Sequence, residues 1–100
     1  MAIERAWARV TAGASPSIAA GRRASSVARN GAGDYTVTWT EDFVANGVNY
    51  GVLAGIIDAG TDLEHIDAAA VTDTTTRVRI GANGVLEDAD FVVEVVQASL

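Results

Sequence analysis

The stretch "GTDLEHIDAAAV", Gly60 to Val71, holds the only histidine of the chain, His65, with Asp62, Glu64 and Asp67 around it. An imidazole among carboxylates can serve as a general acid–base group or as a pH-sensitive contact, because nearby charge moves its titration across the neutral range. One histidine cannot build a two-histidine metal centre. The absence of cysteine removes thiolate ligands, catalytic thiols and disulfides. No serine lies in a Gly-x-Ser-x-Gly elbow, so a small hydrolase built on His65 lacks a nucleophile beside it. A solvated or interfacial histidine explains the same residues with fewer demands.

Two acidic groups are dense enough to weigh for Ca²⁺: Asp58, Asp62, Glu64 and Asp67, and then Glu87, Asp88 and Asp90. Neither follows the Asp-x-Asp-x-Asp-Gly spacing of an EF-hand loop, and solvated turns are the simpler reading, with a cation shared between subunits as the sharper one. "GAGDYT", Gly31 to Thr36, has two of the three glycines of a dinucleotide loop. Such a loop must open a helix, whose N-terminal N–H groups hold the anion. Here the residues that follow alternate as a strand, and no lysine is present for a P-loop. No cofactor is expected and no catalytic residue stands out. Trp7, Tyr35, Trp39 and Tyr50 could stack on a carbohydrate. Tyr35 and Trp39, however, share a strand face with Val37, which reads more simply as core or subunit contact.

The elements that carry these residues read as strands. Val, Thr and Ala dominate, and Gly or Asn interrupts the chain at short intervals, as in an all-β sandwich or barrel. Ile3 to Val10 places Ile3, Arg5, Trp7 and Arg9 on one face and Glu4, Ala6, Ala8 and Val10 on the other. Thr11 to Ala20, with Pro16 and Gly13, reads as a loop or broken edge strand. Gly21 to Arg29 resumes as a strand, and Arg29 to Asp34 is a hairpin turn into Tyr35, Val37 and Trp39. Tyr50 to Asp58, nearly all apolar, predicts a strand buried on both faces or lying at an interface. Arg77 to Ile80 and Phe91 to Ala98 are further strands, with a turn at "GANG", Gly81 to Gly84. Gly60 to Val71 fits a short helix capped by Asp62 or irregular and strand structure, and the latter is favoured.

With 100 residues, the chain predicts one domain, 1–100, with a thin core. The hydrophobic fraction of 49% is high for that size, and subunit contact is an economical way to cover such a surplus. The net charge of -6 and the lack of a basic cluster speak against nucleic acid. All seven basic residues are arginines, the type suited to partly buried pairing at subunit contacts. Phe43 to Ile57, the longest charge-free run of the second half, is too short and polar for a membrane span. "MAIERAWARV" has no apolar signal core, and a chain made in the cytoplasm is expected.

Taken in order, "ASSVARNGAGDYTVTWTEDF" and "TRVRIGANGVLEDADFVVEVV" resemble a β-domain common near the C-termini of bacteriophage tail fibres and similar virion appendages. The counterparts are Ser25, Ser26 and Val27, then Asn30, Gly31, Gly33, Asp34, Tyr35 and Thr36. Asn49 and Tyr50 follow, then Arg77, Val78, Arg79 and Ile80, then Gly84 and the valine-rich last strand. "AWARV", Ala6 to Val10, is similar to the family's opening strand, so the resemblance spans nearly the whole chain. It implies a small antiparallel β-sandwich that assembles as a homotrimer on a phage particle, bound to other virion proteins and without catalytic residues. On that basis Arg5, Trp7, Arg77, Arg79, Val93 and Val95 are candidates for subunit contact. The alternative is a tail-fibre module that binds a host-surface glycan, with Trp7, Tyr50 and His65 as candidate ligand contacts.

Overall fold

The computed structural model describes residues 2–40, 50–57, 64–72, 74–82 and 84–99. Every assigned helix or strand among them is a strand. In chain order these are β1 (Ala2–Thr11), β2 (Ser17–Arg22), β3 (Ala24–Gly31), β4 (Asp34–Trp39), β5 (Tyr50–Ile56), β6 (Glu64–Thr72), β7 (Thr75–Ala82), β8 (Val85–Leu86) and β9 (Phe91–Ser99). They form two antiparallel sheets, β2-β1-β9-β5 and β3-β4-β7-β6, with β8 paired to β7.

The two sheets face one another across a core that follows from period-2 alternation. One side supplies Ala6, Ala8 and Val10 from β1 and Phe91, Val93 and Val95 from β9. The other supplies Tyr35, Val37 and Trp39 from β4 and Val78 and Ile80 from β7. Alanines on β1 let that strand lie close to the opposite sheet, where the large rings of Tyr35 and Trp39 fill the space. Tyr35 and Phe91 meet across the interior with ring centroids 5.4 Å apart and planes tilted by 50°, a spacing at which tilted rings attract. The one fully buried polar side chain of this group, Thr76, accepts a 3.0 Å hydrogen bond from Trp39 Nε1, so the indole N–H does not enter the core unpaired.

Expectation and structure part at two places. Residues 21–29 are not one strand: Arg23 takes a φ of 58°, and the chain turns there from the first sheet into the second. The Arg23 carbonyl accepts from Thr40 N at 2.8 Å, which pins the corner to the end of β4. β5 is buried on one face only. It is an edge strand paired with β9, with Leu53 64% exposed and Val52, Ala54 and Ile56 half-buried against the core. Within 60–71 the favoured reading holds where the residues are described: from Glu64 onward they form β6, paired with β7. β5 lies beside β6 and β2 beside β3, which brings both pairs of sheet edges together.

Candidate functional site

The turn between β3 and β4 is held by residues far away in sequence. The Asp88 carboxylate reaches over the β3–β4 connection and accepts from Gly33 N at 2.8 Å, Tyr35 OH at 2.6 Å and Arg29 Nε at 3.2 Å, all on Oδ1. Arg29 Nη2 donates to Oδ2 at 2.9 Å. Tyr35 OH in turn accepts from Gly13 N at 3.0 Å, and Asp90 Oδ1 accepts from Ala12 N at 2.8 Å. Arg29, Tyr35 and the Gly33 amide together hold the Asp88 carboxyl down to about 2. Burial, followed by the adjacent carboxylate, pushes the Tyr35 phenol up, so it stays a protonated donor.

Glycine at position 33 is set by geometry. Its φ is +66°, and a Cβ there would collide with the Ile80 carbonyl oxygen and lie 2.6 Å from Glu87 N. The Gly33 carbonyl accepts from Ile80 N at 2.8 Å. The Gly33 amide is engaged by Asp88 and is not free to hold a phosphate. Beside it, Asp34 is buried and accepts from Arg77 Nε at 3.0 Å and Nη2 at 2.6 Å, with Asn30 Nδ2 at 3.2 Å. The Arg77 guanidinium holds the Asp34 carboxyl below its usual range. These groups form a structural clamp in which both carboxylates are bound to arginines and to other parts of the chain.

The outward face of the first sheet is different. Residues opposed across antiparallel strands share a face, which gives the rows Arg22–Trp7–Glu94–Leu53 and Arg9–Val92–Gly55, with Arg5 and Val96 next to Gly51. Arg5 lies 4.0 Å from Glu94, whereas no acidic partner of Arg9 or Arg22 is found among the described residues. Leu53, Ile57 and Val92 are the exposed large apolar side chains on β5, just beyond it and on β9. At the end of the second sheet, a groove of about 300 Å³ runs between Ile66, Ile80, Val85 and Leu86, with the Asp67–Arg79 pair, 2.8 Å apart, at its side. Val85 and Leu86 are 61% and 45% exposed.

The residues expected at contacts thus separate. Arg5 and Trp7 stand on the outward face of the first sheet, Trp7 half-buried. Arg77 is engaged by Asp34, and Arg79 flanks the groove. Val93 and Val95 have no exposed surface at all and belong to the chain's own core. The β9 residues open to a neighbour are the intervening Val92, Glu94 and Val96. Tyr50 begins β5 opposite Gln97, and His65 lies in β6 opposite Gly81. Asp58 and Asp62 lie outside the described residues. Asp88 and Asp90 point to different backbone partners, and no group of three His, Asp or Glu placed to hold a metal ion occurs among the described residues. The Asp88 clamp escaped sequence reasoning because its partners are 53 to 59 residues away. No family model, curated protein or solved structure matches this chain.

Proposed function

We infer that the chain is a non-enzymatic structural subunit that assembles as a homotrimer in a bacteriophage tail or capsid appendage. The virion assignment rests on the ordered resemblance in the sequence. The observation that carries the assembly reading is the set of exposed apolar side chains, Leu53, Ile57, Val85, Leu86 and Val92, on two separate surfaces of so small a chain. Patches of that kind are costly in an isolated domain and are the usual mark of a protein contact. The clamp around Asp88 supports a scaffold rather than a catalyst, because its titratable groups are committed to backbone and to each other. Light scattering on the purified protein at micromolar concentration is expected to give three chain masses, and a monomer there refutes the assembly. Mass spectrometry of particles from a phage carrying the gene should find the protein in fixed copy number.

A second reading, binding of a host-surface glycan, draws on one feature. Trp7 lies half-buried on an outward face with Arg5 and Arg9 two residues away on either side. A ring flanked by guanidinium groups suits an acidic sugar. Correctly assembled protein that binds nothing on a glycan array removes this reading.

A further inference from the structure

Resting on the glycan reading, we propose that the corner of the first sheet between Arg9 and Arg22 seats the carboxylate of a sugar acid whose ring lies against Trp7. Trp7 on β1 is paired with Arg22 on β2, and Arg9 is paired with Ala20. Residues two apart on a strand share a face, so these four form one square on the outward surface, with the arginines on its diagonal. Diagonal neighbours across antiparallel strands stand about 7 Å apart, a separation from which two arginine side chains can converge on one carboxylate. Arg9, Ala20 and Arg22 are exposed and Trp7 is half-buried. The fourth corner carries only the methyl group of Ala20, so no bulky side chain stands between the guanidinium groups.

The strand registers divide the charges of this face. Glu94 opposes Trp7 from β9, on the side away from Arg22, and Arg5 lies 4.0 Å from it. Arg5 and Glu94 offset one another, which leaves the β9 side of the indole without net charge. On the β2 side, neither Arg9 nor Arg22 has an acidic partner among the described residues. The excess of positive charge therefore lies at one corner, on a chain whose net charge is -6.

A guanidinium group donates through a planar fork that matches a carboxylate, and the apolar body of an indole suits the C–H face of a pyranose. One carboxylate satisfies both arginines. Nucleic acid brings a charge on every unit and meets the repulsion of the acidic remainder of the chain. Leu53 and Ile57 lie at the opposite edge of the same sheet, on β5 and just beyond it, so a subunit contact there leaves the β2 edge open to a ligand.

The test follows the Trp7 indole N–H by NMR, assigned through a Trp7→Phe protein, with glucuronate, N-acetylneuraminate, glucose and inorganic phosphate as probes. One of the sugar acids is expected to shift that signal to saturation, with glucose about tenfold weaker. Arg9→Gln and Arg22→Gln, both at exposed positions, should each weaken the sugar acid about fivefold with unchanged urea midpoints. Ala20→Glu should abolish binding, and Arg5→Gln should weaken it less than either of the other arginine changes. Glucose bound as well as the acid, or Arg9→Gln and Arg22→Gln proteins that bind like wild type, overturns the carboxylate seat and leaves the glycan reading standing. Phosphate or a short single-stranded DNA that shifts the signal as strongly as the sugar acid shows attraction by charge alone, and overturns the seat as well. If none of the sugars binds, both readings fall.

Discussion

Replacing Asp88 tests the clamp directly. Asp88→Ala removes the acceptor of Gly33 N–H and Tyr35 O–H and half of a two-pronged pair with Arg29. Each of the two uncharged donors loses a charge-assisted bond, about 1.5 kcal/mol apiece. The solvent-open Arg29 arm adds little to this. Titration gives a second route. A carboxyl moved from 3.8 to about 2 corresponds to at most ~2.5 kcal/mol. With 30% of the side chain open to water, screening trims this to ~1.5 kcal/mol. An overall loss of about 2 kcal/mol is expected at pH 7, and about half of that for Asp88→Asn, which keeps one oxygen for Gly33 and Tyr35.

The pH dependence has a fixed sign. The folded-state value lies below the unfolded one, so the contribution is complete above about 3.8 and falls away as pH drops towards 2. Urea unfolding followed by the fluorescence of buried Trp39, at one fixed protein concentration, measures both effects. The gap between wild type and Asp88→Ala should be widest at neutral pH and narrow below pH 3. An unchanged midpoint at pH 7, or a gap that does not narrow in acid, refutes the clamp.

Four further outcomes follow from neighbouring geometry. Gly33→Ala, which needs both a left-handed backbone and space held by the Ile80 carbonyl, should lose about 3 kcal/mol or fail to fold. Gly31→Ala, with nothing within 4 Å of the added Cβ, should stay within about 0.5 kcal/mol in the same urea titration. Arg77→Ala deprives Asp34, whose side chain is 12% exposed, of its strongest partner. The Asp34 titration followed by carboxyl NMR should move up, with a loss of about 2 kcal/mol at pH 7. An unmoved titration would show that Arg77 does not hold it. Thr76→Val removes the acceptor of Trp39 Nε1 at a site with no exposure, at an expected cost of about 1–2 kcal/mol by thermal or urea unfolding.

The strands whose alternation is strict were legible in the sequence. Tyr35, Val37 and Trp39 on β4, and Ala6, Ala8 and Val10 on β1, fall on the buried faces their spacing implies. β9 was legible as a strand, yet its phase was hidden, because Val92, Val93, Val95 and Val96 put valine on both faces. Val93 and Val95 are core for that reason, while their neighbours face out. For β5, burial on both faces and a place at an interface stayed open as readings since glycine and alanine carry no polar signal, and only pairing shows that it is an edge. The corner at Arg23 had no signal: an arginine at positive φ is held by its surroundings rather than chosen for that conformation. The clamp on the hairpin was invisible because a lone aspartate in an acidic turn does not announce a partner more than fifty residues earlier.

The pairing of β1 with β9, Ala2 opposite Ser99 through Val10 opposite Phe91, has a consequence for when this fold can form. β9 is the sheet partner of β5 and one of the two sheet partners of β1, and it carries half of one sheet's buried side chains. A growing polypeptide can pair its first strand with β2 early, but the other edge of β1 and the sheet edge of β5 stay open until β9 has been made. Hairpins such as β3–β4 can close early, but the first sheet is completed by its most distant pairing, the slow step in topologies of this kind. During that interval the valine-rich segments of neighbouring nascent chains compete for the same edges. Synthesis rate and chaperone supply would then set the yield of folded protein more than the stability of the finished sandwich does.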